Sequence, residues 1–375
     1  MRGDAFGLIY AGEQVFDLRE LVDQRSVGAL PVGGRYRVID FPLSNMVNSG
    51  IRNVAVIASR NYNSLMDHLG SGKAWDLSRK SDGLFFLTPF ANRDNPGVYR
   101  GAVEALKSSM DYLKRAKQQY CIVSDSRTIY NTTYDDIMDF HVGTDADITI
   151  LYTKLSCDRW QGKRYEDTRI GVKKNGEVNR MEMDVPRSSL GCLTMGAYII
   201  RRDLLVHLVD ESIARGDYHF FDGMLRNNLG RIKMMGYEYK GYVSRLHNVA
   251  SYYKTNMDFL DADIQKKLFQ GAHRIYTKVK DEVPARYLST ASVKNSIVAN
   301  GCIIEGEVED SVLFRGVYIG KGTTVKNSII LPGAEINDDA ELENIVIDKN
   351  VVVRNRTRLV GSAEYPMIIQ KGAVV

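Results

Sequence analysis

The sequence predicts two domains, an α/β domain built on a mostly parallel sheet and, after it, a β-solenoid. Three observations lead there. At 375 residues the chain is long for one core. Over the first two-thirds, short β-rich runs alternate with stretches of helical period. The last third repeats itself. The expected division is an α/β domain over 1–250, a linker helix and loop over 251–287, and the solenoid over 288–375.

In the first part, the runs Ala5 to Tyr10, Asn53 to Ile57, Tyr120 to Ser124, Asp147 to Tyr152 and Gly196 to Ile200 read as strands. Glu104 to Lys117 reads as the clearest helix, with Ala105, Met110 and Leu113 facing inward. Strands separated by helices argue for βαβ units, and such open sheets bind ligands at the carboxyl ends of their strands. Ser251 to Gln270 then reads as one connecting helix, followed by a loop through Pro284.

The repeat rests on one template. Val293-Lys-Asn-Ser-Ile-Val, Val308-Glu-Asp-Ser-Val-Leu, Val325-Lys-Asn-Ser-Ile-Ile and Leu342-Glu-Asn-Ile-Val-Ile follow one another at spacings of 15, 17 and 17 residues. Aliphatic residues recur every five or six positions: Val308, Leu313, Ile319, Val325, Ile330, Ile336, Leu342, Ile347 and Val353. Three such steps per unit describe a triangular coil whose apolar edges are buried only when coils stack. Glycines from Gly301 to Gly333 suit the corners. Acyltransferases with solenoids of this kind commonly take a histidine from a coil; the last histidine here is His273, ahead of the repeats, so a structural or assembly role is expected.

Composition narrows the function. Lys and Arg exceed Asp and Glu by 50 to 46, with no dense basic run, so nucleic acid is not an expected partner. Cys121, Cys157, Cys192 and Cys302 are far apart and lack metal-ligand spacing; free thiols fit a reducing compartment. The start carries no signal layout, and no run approaches the roughly 20 apolar residues of a membrane span, so a cytoplasmic protein without membrane partners is expected.

Ala29-Leu-Pro-Val-Gly-Gly-Arg-Tyr-Arg-Val-Ile-Asp-Phe-Pro-Leu-Ser-Asn45 resembles glucose-1-phosphate adenylyltransferase, the ADP-glucose pyrophosphorylase of glycogen and starch synthesis. The resemblance continues through Asn48-Ser-Gly-Ile51, His68 to Leu77, Tyr99 to Ala105, Met195-Gly196, Gly241-Tyr242, Asn256-Met257-Asp258 and the repeats. It implies a Rossmann-like nucleotidyltransferase domain followed by a left-handed parallel β-helix of hexapeptide repeats. Family members join ATP and glucose 1-phosphate into ADP-glucose and pyrophosphate with magnesium, which needs amides and cations around a triphosphate and carboxylates on the metal.

Against that family the site positions are altered. Its phosphate loop, Gly-Gly-x-Gly-Thr-Arg-Leu, aligns with Gly12-Glu13-Gln14-Val15-Phe16-Asp17-Leu18, so two glycines are Glu13 and Val15 and the arginine is Asp17. A carboxylate beside a triphosphate repels it by about 4 kcal/mol per charge pair at 4 Å in an effective dielectric near 20. The lysine after the loop becomes Val27, the lysine beside the sugar phosphate becomes Asp184, and a magnesium-binding aspartate becomes Arg245. The second metal aspartate falls near Ser124-Asp125-Ser126-Arg127, with shifted spacing. One lost charge-stabilising contact typically lowers rate by about 100- to 1,000-fold, so no catalytic residue and no bound magnesium are expected on this chain. Gly12, Gln14, Gly101, Glu104, Asp125 and Gly196 would border a residual ligand pocket. Gly33-Gly34 reads as a turn, and Trp75 and Trp160 as packing residues.

The pattern is similar to the non-catalytic, GlgD-type branch of the family, which implies a regulatory subunit paired with a catalytic adenylyltransferase subunit in a heterotetramer, magnesium staying with the partner. Arg35 stands where family members carry a basic residue implicated in binding anionic activators. Arg37 and Arg52 are near it in sequence, and Arg354, Arg356, Arg358 and Lys371 offer charges from the solenoid end. An active divergent nucleotidyltransferase and a stand-alone sugar-phosphate or nucleotide sensor are the alternatives.

Overall fold

The computed structural model describes residues 4–13, 15–89, 99–154, 168–183, 191–271 and 273–375. Nine strands of these residues form the main sheet: β1 (Ala5–Ala11), β2 (Asn53–Ala58), β3 (Gly83–Leu87), β4 (Tyr120–Asp125), β5 (Ile148–Lys154), β6 (Arg169–Val172), β7 (Val178–Glu182), β8 (Cys192–Arg201) and β9 (Met234–Glu238). The centre, in the order β4-β1-β2-β3, is parallel. β8 joins antiparallel to β4 and β5, while β5 and β9 run parallel. Central strands are mostly apolar, as expected of strands covered on both faces: every residue of β2 is buried.

The parallel pairing of β1 with β4 sets Tyr10 beside Asp125, so the chain leaving both strands, Gly12-Glu13 and Ser126-Arg127, comes out at one place. Antiparallel β8 brings Ala197 opposite Ser124 from the other side. This is the carboxyl edge of the sheet, where ligand crevices form in open α/β folds.

Two expected helices are each two. The run 104–117 is divided into Ala102–Ser108 and Met110–Arg115 at Ser109, whose hydroxyl donates to the Ala105 carbonyl one turn back. The linker is Val249–Asp258 followed by Ala262–Phe269. Asp261 caps the second by accepting from the amides of Asp263 and Ile264, and Asn248 with Ser251 forms a capping box on the first.

From Arg286 onward, three five-stranded parallel sheets build a β-helix. Its register is the sequence template itself: Val293, Val308, Val325, Leu342 and Leu359 stand side by side. The nine recurring aliphatics from Val308 to Val353 are at most 1% exposed. The template's Asn or Asp makes the corner, with φ of 43° to 54° at Asn295, Asp310, Asn327 and Asn344. The serine after it turns in: Ser311 Oγ accepts from Ser328 N (3.0 Å), and Ser328 Oγ from Ile345 N (3.3 Å).

One buried cluster holds the two domains together. Val15, Leu18, Leu21 and Val27 from the α/β domain share it with Tyr252 and Phe259 of the linker and Phe314, Leu331 and Val346 of the solenoid. Gly33-Gly34 is the expected turn, between short paired strands Pro31–Val32 and Tyr36–Arg37, and it lies on the Phe259 ring and Ile297. Trp75 is 1% exposed in the core; Trp160 and Cys157 lie outside the described residues. Cys121 and Cys302 are buried free thiols and Cys192 is a partly buried one. Among the described residues, no helix is long and apolar enough to cross a membrane.

Candidate functional site

The carboxyl edge of β1 and β4 holds four charged side chains. Asp125, ending β4, is 11% exposed and accepts from Arg127 N (3.3 Å), Thr128 N (3.2 Å) and Thr128 Oγ1 (3.0 Å). A two-stranded ribbon, Thr128–Ile129 with Ser244–Arg245, sets Arg245 opposite Thr128 and so over Asp125. Arg245 Nη2 reaches Asp125 Oδ2 at 3.2 Å while Nη1 donates to the Thr194 carbonyl at 3.1 Å. Arg127 Nε stands 3.8 Å from the same carboxylate oxygen. Gly196 (φ 68°) closes the wall opposite, where any Cβ would overlap the Asp125 carboxylate.

Glu13, just beyond β1, is the second carboxylate. Its oxygens accept from Ser126 N (3.2 Å) and Ser126 Oγ (3.0 Å). Burial first, and the Asp125 charge second, push its pKa up to about 7 against the pull of Arg127. The same environment raises Tyr10, which feels Glu13, Tyr99 and Glu104.

The remaining candidates do not converge on this point as phosphate ligands. A Cβ on Gly12 would stand 2.7 Å from the Tyr10 ring, so Gly12 is closed off by its own neighbour. Val15 (3% exposed) and Val27 (2%) are buried in the interdomain cluster, whereas Asp17 points outward in the exposed first turn of the 3-10 segment Phe16–Val22. Gly101 precedes the helix Ala102–Ser108 and abuts the Tyr218 carbonyl. Glu104 is tied to Arg100, taking its backbone amide at 2.6 Å and its guanidinium at 2.6 Å and 3.0 Å, and this pairing lowers its pKa. Gln14 and Asp184 lie outside the described residues.

Magnesium is the cation that the resemblance to the adenylyltransferases implies for this edge. Magnesium demands near-octahedral oxygen ligands and parts with water reluctantly. Here both Asp125 oxygens and both Glu13 oxygens already accept hydrogen bonds, and two guanidiniums face the Asp125 carboxylate. Among the described residues no group of three His, Cys, Asp or Glu could hold a metal. The side chains present do not fit the ion.

A second set of cations lies where the α/β domain meets the solenoid. Arg35 is exposed beside Tyr36 and close enough to Arg315 to lower it, an effect secondary to Arg315's own burial. Arg37 is anchored by Ser64, donating to its carbonyl (2.6 Å) and hydroxyl (2.9 Å). Burial, then Arg37 and Arg25, push Lys349 down to about 7. Sequence reasoning missed Arg315 and Lys349, which are separated from Arg35 by some 300 residues of chain. Arg52 is not part of this set. It precedes β2, whereas Ser64 and Arg37 lie beyond its far end, about 17 Å along the strand at 3.3 Å per residue. Arg358 pairs with Glu341 (3.0 Å) and Lys371 with Gln24 (3.0 Å), while Arg354 and Arg356 are exposed.

Comparison with known proteins places this geometry in context. Residues 7–165 match the nucleotidyl transferase family, and residues 283–364 match the GlmU-like, C-terminal hexapeptide family. The chain is 36% identical over 357 residues to the glycogen biosynthesis protein GlgD of Bacillus subtilis (strain 168), covering 95% of this chain and 93% of that one. It is 38% identical over 375 residues to GlgD of Geobacillus stearothermophilus, covering 100% and 98%. It is also 30% identical over 363 residues to the glucose-1-phosphate adenylyltransferase of Desulfitobacterium hafniense (strain Y51), covering 95% and 89%. With full-length similarity to both kinds of protein, the chain belongs to the nucleotidyltransferase family of GlgD proteins and glucose-1-phosphate adenylyltransferases.

Proposed function

We propose that this chain acts in glycogen biosynthesis as the regulatory, catalytically impaired subunit of a heteromeric, cytoplasmic glucose-1-phosphate adenylyltransferase. In this reading it assembles with a catalytic subunit as a heterotetramer. It binds no magnesium itself and stimulates turnover of ATP and glucose 1-phosphate by its partner. The observation that supports it best is the Arg245–Asp125 pair (3.2 Å) at the carboxyl edge of β1 and β4: a guanidinium occupies the place where the chemistry needs a metal ion and a second carboxylate. A subunit of this kind acts by linkage, packing differently against its neighbour in two states. The cations Arg35, Arg37, Arg315 and Lys349 suit an anionic effector at the domain boundary. The same surface favours a second reading, a stand-alone anion sensor, which predicts binding without a transferase partner.

The experiment is magnesium-dependent pyrophosphate release by this chain alone, by a catalytic homologue from the same cell alone, and by the two co-expressed. The expected result is no turnover alone and a higher rate or altered activator response in the mixture. Robust turnover by this chain alone would overturn the reading. Failure to co-purify with any transferase would favour the sensor.

A further inference from the structure

We propose that Arg19 is a strained swivel in a strap, residues 15–27, that ties the α/β domain to the solenoid, and that its release separates two packings of the domain joint. The inference rests on the reading that the chain acts by packing in two states, and it names the segment that moves between them.

One end of the strap is pinned from both sides. Arg25 reaches Asp348 of the solenoid at 2.8 Å, and Gln24 accepts from Lys371 at 3.0 Å. Asn61 of the α/β domain donates to the carbonyls of Val22 (3.1 Å) and Asp23 (3.0 Å). The other end is held by apolar burial, with Val15, Leu18 and Leu21 at most 3% exposed in the interdomain cluster. These side chains belong to two short turns, closed by Leu18 N on the Val15 carbonyl (3.1 Å) and by Asp23 N on the Glu20 carbonyl (3.4 Å). Arg19 is the joint between the turns. Its φ of 51° with ψ of −133° is a conformation that glycine adopts freely and residues with a Cβ avoid. Strain of this kind persists only where the surroundings enforce it. Here the enforcement is the burial of Leu18 and Leu21 in one cluster, so the strain lasts only while both domains contribute to that cluster. On the outer side the Arg19 guanidinium lies 4.7 Å from the centroid of the Tyr365 ring, which is 60% exposed on the solenoid loop between Arg358–Val360 and Met367–Ile369. A cation–π contact that open to water is worth only about two- to fivefold in an equilibrium. It closes the strap without locking it. When the solenoid loop shifts and the contact loosens, the stored strain favours release of Phe16–Val22, with the pinned end as the pivot.

Hydrogen exchange of the full chain, read by mass spectrometry on peptides covering residues 15–25, tests this. Both Arg19 and Tyr365 are exposed, so replacing either leaves the core filled. Glycine ordinarily loosens a segment because it gains more freedom when the segment opens. Arg19→Gly should do the reverse, slowing exchange about threefold or more against Arg19→Ala, because alanine keeps the strain and glycine removes it. Tyr365→Ala should speed exchange of the same peptides by about two- to fivefold and leave those of β2 unchanged. Exchange in Arg19→Gly as fast as in Arg19→Ala or faster, or exchange in Tyr365→Ala equal to wild type, would overturn the proposal. These readouts need no partner subunit. Their failure would leave the regulatory reading standing, whereas failure of the mixing assay would sink that reading with the strain at Arg19 still measured.

Discussion

Replacing Arg25 tests the joint between the two domains. Arg25 (4% exposed) and Asp348 (1%) are opposite charges from the α/β domain and the solenoid, with Arg25 Nη2 donating to both carboxylate oxygens at 2.8 Å. Asp348 also accepts from Lys349 N at 2.6 Å, whereas Arg25 Nη1 is buried and has no hydrogen-bond partner among the described residues. A buried pair of this kind adds little net stability over apolar packing, but stripping one partner strands the other charge, which costs about 3–5 kcal/mol. Arg25→Met should therefore lower stability toward the bottom of that range at pH 6, where Lys349 is charged and partly replaces the lost cation. At pH 9, above the Lys349 pKa of about 7, the loss should be larger. At roughly 2–4 °C per kcal/mol for domains of this size, a loss of about 3 kcal/mol at pH 6 should appear in calorimetry as a shift of about 6–12 °C. The double variant Arg25→Met/Asp348→Leu should return to within about 1 kcal/mol of wild type. A single-variant loss below about 1 kcal/mol, or a double variant no better than Arg25→Met, would refute the view that the stranded carboxylate is the cause.

Glu13, held near 7 in the folded chain against 4.5 ordinarily, contributes stability that is complete below pH 4.5 and is lost as pH rises through 7. Glu13→Gln should thus gain on wild type between pH 5 and 8 by about 2 kcal/mol, the shift converted at about 1.4 kcal/mol per unit and discounted for partial exposure; urea melts across that range check it. Lys349 works oppositely: the unfolded chain holds its proton up to about 10.5 while the folded chain releases it near 7, so stability rises with pH between those values. Lys349→Met should be the more stable protein at pH 6, with the difference closing toward pH 10 and narrowing when inorganic phosphate is added. Val27→Lys, restoring a family lysine, should cost several kcal/mol because the site is 2% exposed in an apolar cluster, and pyrophosphate release should stay absent.

What the sequence displayed and what it concealed divide along the range of the interactions. The solenoid is made of near neighbours in a fixed period, so the inward aliphatics could be read from spacing alone. Its left-handed corners at Asn295, Asp310, Asn327 and Asn344 were equally open to reading, since Asn and Asp tolerate that conformation best among residues with a side chain. Five strands of the main sheet were legible for the same local reason, whereas Gly83–Leu87, Arg169–Val172, Val178–Glu182 and Met234–Glu238 went unread. The breaks at Ser109 and Asp261 were not, because both depend on side-chain hydrogen bonds that compete with a continuing helix. At the pocket, residue types were legible and their pairing was concealed. Arg245 reads as the loss of a ligand, but its bond to Asp125, 120 residues away, needs the fold. Arg127, two residues after Asp125, was visible as a same-site cation and was the available clue. The separation of Arg52 from Arg35 and Arg37 follows from strand direction, which a list of nearby sequence positions does not contain.

Two of the altered positions, Val15 and Val27, share one destination. Val15 and Val27, which the sequence resemblance sets against a phosphate-loop glycine and a lysine, join Leu18 and Leu21 in the cluster that reaches Phe314 and Val346 of the solenoid. The helix Val249–Asp258 is bound on both sides: Tyr252 donates to the Pro31 carbonyl (2.7 Å), Asn256 accepts from Gly33 N (3.0 Å), and Tyr253 donates to the Asn327 carbonyl of the solenoid (2.6 Å). Close-packed interiors do not deform continuously, so a shift of the solenoid must be met by movement of the Phe16–Val22 segment that shares this cluster. On the reading proposed above, a charge bound among Arg35, Arg315 and Lys349 would act on this joint between the domains, and stabilising one arrangement of it would be the physical content of the regulation.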